Sequence, residues 1–382
     1  MTRRLYAYAF FAEFVLLYPV YTVLFTRTGL SPAEISSLFA VWSLTAFAAE
    51  LPSGVWADTF SRRRLIVAGP LVTAAGFTLW IVTPSYPAFA AGFVLWGLGQ
   101  ALISGALEAL VYEELERAGA AASYARVLGR ATAVRTTAVM VASALAGPVL
   151  TAGGYPALGV ASVATLLVAA AIGRSFPESG ARGRDRRAVA DGETAVAAYL
   201  RVLRTGLAEV RTTAPVRRAL AYAAVLMGLN ALDEYLPLLA LATGVAEPAV
   251  PLLVLLFTTG DAVGGWLAGR GERWEALALA VAAACLAAGS LLGTPAAMVL
   301  VAAAFGVFRW AITAAEARLQ ARVGDEARAT VASMTGFASE IAALAVFGSY
   351  ALGSAWADPG PLFAAAAVPY LLLALARRFG RS

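Results

Sequence analysis

Eight polar side chains sit deep inside long apolar runs of this 382-residue chain: Glu13, Gln100, Arg135, Asn230, Asp233, Glu234, Arg309 and Glu340. An ionisable group at the centre of a membrane helix costs roughly 2.5–3.5 kcal/mol on insertion scales, so it is kept for a reason. A carboxylate withdrawn from water gains proton affinity and can load and release a proton. A guanidinium in the same surroundings holds a carboxylate charged or binds an anionic group. On these grounds Glu13 is the leading proton-coupling candidate, with Asp233 and Glu234 next. Arg309 and Arg135 are the matching cations. The competing reading is structural, with Glu13–Arg135 and Arg309–Glu340 as permanent ion pairs.

The composition explains why these groups are rare. The chain is 60% hydrophobic and 14% charged, with a mean hydropathy of +0.74. So little charge cannot cover the surface of a water-soluble protein of this length. All 29 basic residues are Arg, and there is no Lys and no His. A P-loop lacks its Lys here, a Ser-His pair lacks its base, and an imidazole metal cluster lacks its ligands. No enzyme, metal or cofactor is expected. The single cysteine, Cys285, can form no intrachain disulfide and reads as a small core residue.

The apolar runs are about the length that crosses a bilayer as a helix. They lie near 5–26, 33–56, 65–83, 87–112, 127–150 and 155–174, then near 216–242, 248–269, 275–293, 295–319, 331–355 and 359–377. Turn chemistry such as "TAGGYP" at 151–156 and "ADPGP" at 357–361 separates neighbours. The expected fold is an all-α membrane protein of twelve transmembrane helices in two six-helix bundles. Arginine placement tests that count. The termini and the even-numbered connections carry 25 arginines, and the odd-numbered connections carry only Arg27. Basic residues concentrate in cytoplasmic loops, which puts both termini in the cytoplasm. The net charge of +5 therefore faces one side of a membrane and does not point to nucleic acid.

Residues 1–174 form the first expected bundle, 175–215 a cytoplasmic linker and 216–382 the second bundle. The linker holds "TAVAAYLRVLRTGLAEVR", whose apolar residues recur at helical spacing, as in a helix lying on an anionic leaflet. The halves echo each other. "GVWADTFSRR" at 54–63 aligns without gaps on "GWLAGRGERW" at 265–274, matching Gly54 with Gly265 and Arg62 with Arg273. Both copies follow the second span of their half.

Gly54, Ala57, Asp58, Arg62 and Arg63 at this spacing resemble the loop between spans two and three of the major facilitator superfamily. Thr59 and Ser61 depart from its usual basic residue and glycine. With the twelve spans and the second copy, the resemblance covers essentially the whole chain. It implies a gating latch: Gly54 permits close helix approach, Asp58 faces the positive end of span eleven, and Arg62 pairs with an acid low on span four, such as Glu108 or Glu113. Glu50, Asp261 and Glu316 near the same membrane edge read as gate residues too. Gly147 and Pro148 in "ASALAGPVLTAGG" resemble the family's antiporter motif and imply a kink in span five. The arginine that many drug–proton antiporters carry in span four is absent, with Phe93 in its place.

In this family spans one, four, seven and ten line a central cavity, which makes Glu13, Gln100, Asn230, Asp233 and Arg309 the substrate-cavity candidates. The resemblance implies a bacterial drug:proton antiporter-like transporter: a monomer in the inner membrane, working by alternating access on a small-molecule substrate. Proton-coupled efflux of an amphiphilic compound is the leading expectation. Uptake or facilitated diffusion of a small metabolite, anionic where Arg309 recognises it, is the alternative.

Overall fold

A computed structural model describes residues 1–177, 213–324 and 328–379. The expected linker helix lies outside the described residues, and so do the side chains of Gly54 and Asp58. Lipid offers no hydrogen bonds, so a crossing segment must pair its own backbone, and a helix does this alone. Accordingly the described residues contain helices and no strand. The first group is α1 (Thr2–Glu13), α2 (Tyr21–Arg27), α3 (Pro32–Thr59), α4 (Arg62–Val82), α5 (Tyr86–Arg117) and α6 (Tyr124–Gly173). The second is α7 (Ala214–Leu229), α8 (Leu236–Ala242), α9 (Val250–Leu267), α10 (Glu275–Leu292), α11 (Met298–Gln320), α12 (Arg328–Gly353) and α13 (Pro359–Phe379). Ten helical stretches among the described residues are long and apolar enough to cross a bilayer.

One break falls where the expected spans put it, and two departures from those spans matter for function. A straight helix of the 50 residues in α6 would run about 75 Å, far beyond a bilayer's hydrocarbon core. It breaks at Gly154, with φ 65° and ψ −165°, a backbone that glycine alone adopts without strain. The turn falls inside "TAGGYP", between the fifth and sixth expected spans, and Gly147 and Pro148 lie within the helix before it. Proline at 148 removes one backbone hydrogen bond from that helix.

The first apolar run is also not one helix. α1 ends at Glu13, residues 14–20 leave the helix, and α2 resumes at Tyr21. The seventh run is interrupted in the same way: a 3-10 segment, Asn230–Tyr235, separates α7 from α8. Such a tight segment within a helix marks a hinge or a site under strain.

The described residues divide into two compact units. One comprises 1–21 and 38–177, the other 22–37, 213–324 and 328–379. The short segment 22–37 belongs to the second unit through an ion pair of 2.7 Å between Arg27 and Glu247 and a hydrogen bond of 2.7 Å from the Tyr235 hydroxyl to Ser36 Oγ. Arg27, the arginine on the sparsely charged side, thus has a partner.

Helices in lipid gain little by hiding apolar surface from other apolar surface, so close packing and internal hydrogen bonds hold them. In the first unit α1 and α4 pack on α6, and α4 packs along α5. A Cβ at Gly69 would stand 2.7 Å from the Gly99 carbonyl, so α4 and α5 approach as only glycine allows. Tyr8 donates to the Ile66 carbonyl at 3.0 Å, joining α1 to α4. In the second unit α9 and α10 both pack on α11, α12 on α7, and α13 on α10.

Candidate functional site

Each unit places its acids where a helix is broken. In the first, the backbone freed beyond Glu13 is satisfied locally: Val15 N–H donates to the Glu13 carbonyl at 2.9 Å, and Leu17 N–H donates to Ser162 Oγ of α6 at 3.1 Å. A serine that repairs a broken ladder is what a low-dielectric setting demands. Glu13 and Arg135 line one small cavity of about 20 Å³ with Gln100, Tyr18, Trp96 and Tyr8. That volume suits a water molecule. The two charges lie within Coulombic reach of each other without a direct ion pair. The permanent Glu13–Arg135 pair of the structural alternative is therefore open in this state.

An aromatic wall adjoins this cavity. Tyr18 stacks on Trp96 with ring centroids 5.2 Å apart, and Trp42 stacks on Trp96 at 5.2 Å. The indole N–H groups of Trp42 and Trp96 are buried with no protein acceptor. Buried donors are nearly always paired, so two unpaired ones on a stacked aromatic wall mark a place that can accept a ligand's oxygen or nitrogen.

In the second unit the 3-10 segment carries Asn230, Asp233 and Glu234. Asn230 Nδ2 donates to Asp233 Oδ2 at 3.1 Å, while Asn230 Oδ1 is buried without a partner. Asp233 lies within Coulombic reach of Glu234, Asp261 and Arg309. Arg309 Nε donates to Asp261 Oδ1 at 2.8 Å, and Glu316 is a further acid within its reach. Phe308 and Tyr370 stack face to face at 3.6 Å, leaving the buried Tyr370 hydroxyl unpartnered.

The partner of Arg309 is thus Asp261 and not Glu340. In the sequence Asp261 reads as a gate residue because it lies toward the end of its span, nearly two turns before α9 ends at Leu267. Helix packing brings it to Arg309: a Cβ on Gly306 would stand 2.6 Å from the Gly260 carbonyl, so the backbones of α9 and α11 touch. Asp261 follows Gly260 and Arg309 lies one turn past Gly306, so their side chains meet. The signal was present as "GDAVGG" at 260–265 and "GVFR" at 306–309.

Of the latch residues, Arg62 at the start of α4 forms an ion pair with Glu113 near the end of α5. Glu108 is exposed and does not join them. A second charge cluster escaped sequence reading altogether. Glu275, fully buried at the start of α10, accepts from Arg318 Nη2 at 2.7 Å, Arg377 Nε at 2.9 Å and the Tyr222 hydroxyl at 2.9 Å. Arg318 also reaches Glu272 at 3.1 Å. Arginines counted as solvated topology markers are here structural ties. Cys285 is half-buried, not fully enclosed.

Ten helical stretches of spanning length describe a multi-pass membrane protein, and the family it matches makes it a transporter and not an enzyme. The family model described as Major Facilitator Superfamily matches residues 5–347, and the chain belongs to that family. Its substrate is accordingly a small molecule. Among solved structures, a point variant of the nucleoside transporter NupG is similar at TM-score 0.77 and 12% identity, with 98% of each chain covered. The peptide transporter POT in complex with sulfate is similar at 0.70 and 14%, covering 100% of this chain and 95% of that one. A POT family transporter in complex with 5-aminolevulinic acid follows at 0.69 and 10%, covering 99% and 95%. These likenesses speak to the fold. No curated protein matches the chain in sequence.

Proposed function

We propose that the chain is a secondary active transporter working by alternating access, whose main activity is proton-coupled efflux of a small amphiphilic compound. The observation that carries this reading is the repeated coincidence of a broken apolar helix with a carboxylate: Glu13 at the end of α1, and Asp233 between α7 and α8. Discontinuous helices are where transporters of several folds bind substrates and coupling ions. The Tyr18–Trp96 wall beside Glu13 supports an amphiphilic cargo.

A second reading is uptake or facilitated diffusion of a small metabolite, anionic if Arg309 recognises it. The nucleoside and peptide transporters among the structural neighbours support it. Arg309 is already hydrogen-bonded to Asp261, which weighs against a free anion receptor and favours efflux.

The same reading includes twelve spans. The ten spanning stretches become twelve when α6 counts twice across Gly154 and the α1–α2 pair counts as the first. The distribution of arginines supports both termini in the cytoplasm; the same reading includes a monomer in a bacterial inner membrane, with Asp58 and Gly54 as latch candidates.

The test is accumulation of a panel of amphiphilic compounds in everted membrane vesicles under an imposed pH gradient. Efflux by proton exchange requires accumulation when the interior is acid and collapse with a protonophore. Concentration of the same compound by right-side-out vesicles with an alkaline interior would replace this reading with uptake.

A further inference from the structure

Around Asp233 the hydrogen-bond inventory is lopsided. Asn230 gives its Nδ2 donor to Asp233 Oδ2 at 3.1 Å, which leaves its Oδ1 buried and unpartnered. The Tyr370 hydroxyl, on a residue within Coulombic reach of Asp233, is buried and unpartnered as well. α13, which carries Tyr370, packs against the 3-10 segment, and Phe308 stacks on the Tyr370 ring at 3.6 Å with the planes 4° apart. Both rings are fully buried, so the hydroxyl is held in place and cannot swing away to find a partner. A buried polar group is nearly always paired, and two failures beside one carboxylate call for a common cause.

The charges leave the same gap. Arg309, the cation within Coulombic reach of Asp233, gives its Nε to Asp261. Among the described residues no guanidinium is hydrogen-bonded to Asp233. Asp233 and Asn230 are half-buried and open this place to a ligand, while Tyr370 is enclosed.

The missing partner can be read from what is left over. A carboxylate and an amide oxygen only accept, and a phenol oxygen accepts readily, so the ligand supplies donors and positive charge. A metal ion would need more anionic ligands, and among the described residues no three Asp, Glu, Cys or His side chains gather to hold one. A quaternary ammonium has charge but no N–H, and would leave Asn230 Oδ1 and the Tyr370 hydroxyl as unpaired as before. A primary ammonium carries three N–H donors on one compact charge, one for each group.

We propose that Asp233, Asn230 and Tyr370 bind the primary ammonium head of the transported compound. The proposal rests on the reading above of an amphiphilic substrate and names its polar end.

The experiment is equilibrium binding to the purified full chain by isothermal titration calorimetry, with three probes that share one apolar body: 4-phenylbutylamine, its N,N,N-trimethyl derivative and 4-phenylbutanol. The primary amine should bind at least about tenfold more tightly than either of the others. Asp233→Asn should abolish its advantage over the alcohol. Tyr370→Phe should cut its advantage over the trimethyl compound about fivefold at unchanged or raised thermal unfolding, because the hydroxyl it removes has no partner to lose. Absent binding of the amine, equal affinity for the amine and its trimethyl derivative, or a preference untouched by both variants overturns the proposal. Displacement of the amine by sodium chloride but not by choline chloride would assign these oxygens to a metal ion and overturn it equally. No gradient enters the measurement, so vesicles that show no efflux would refute the direction of transport and leave the site standing.

Discussion

Arg309 Nε donates to Asp261 Oδ1 at 2.8 Å, tying α11 to α9 at the level where their glycine backbones touch. An isolated charge in this setting is far costlier than a matched pair, so removing one partner does more harm than removing both. Arg309→Ala should lower stability by on the order of 2 kcal/mol, since the pair is partly open to solvent. The double variant with Asp261→Ala should recover most of that loss. Thermal unfolding of the purified proteins decides, and strictly additive effects of the two substitutions would show that the pair is idle.

Glu275 presents the stronger case, because its carboxylate is fully buried and answers to two arginines and a tyrosine. Glu275→Gln leaves Arg318 and Arg377 without their central anion. The expected loss is about 3 kcal/mol or more, seen as a lower melting temperature and poor recovery from the membrane. Glu272→Gln, which removes a more exposed partner of Arg318, should cost well under 1 kcal/mol.

Backbone contact makes its own prediction. A Cβ on Gly264 would collide with the Gly306 carbonyl, which has no freedom to retreat. Gly264→Ala should therefore force α9 from α11 and lower the melting temperature sharply. Gly348→Ala, on α12 with nothing within 4 Å, should be neutral or raise it by the ~0.5–1 kcal/mol that alanine gains over glycine in a helix. A similar response at both sites would remove close packing as the reason for the glycine.

Why was one cluster legible in the sequence and another not? An apolar run reports the depth of each residue, because distance along a helix is fixed at 1.5 Å per residue. Glu13, Asp233 and Arg309 stood out for that reason. Which way a side chain faces depends on where its helix touches others, and Asp261 meets Arg309 across 48 residues of sequence. The helix breaks were hidden for another reason. Residues 14–20 are as apolar as their flanks, with Pro19 the sole local warning, and Pro237 plays that part after the 3-10 segment. Glu275 was hidden by its position: an acid at the start of a helix looks like an ordinary partner for the helix dipole. The turn at Gly154, by contrast, was spelled out by a glycine pair before a proline.

Proton coupling is best tested by neutralising each acid in turn. Asp233→Asn keeps the shape and the Asn230 contact but removes the charge that faces Arg309. If Asp233 carries the proton, transport driven by a pH gradient should fall at least tenfold, while exchange of labelled for unlabelled substrate continues. Glu13→Gln supplies the comparison for the first unit. Full gradient-driven transport in both variants would leave neither acid with a coupling role.

The ion pair of Arg62 with Glu113 joins the start of α4 to the end of α5 and lies only partly in solvent. A pair that served topology alone would need the arginine but not the acid, because carboxylates contribute little to membrane orientation. A latch needs both, in either order. Arg62→Glu alone sets two acids against each other and should lower the transport rate several-fold with normal membrane insertion. Exchanging the charges, Arg62→Glu with Glu113→Arg, restores attraction and should restore transport. Arg63 and Arg64 keep the loop cationic in every variant, so orientation is held constant and the rate reports on the pair itself. Equal rates in the single and the exchanged variant would reduce Arg62 to a topology marker.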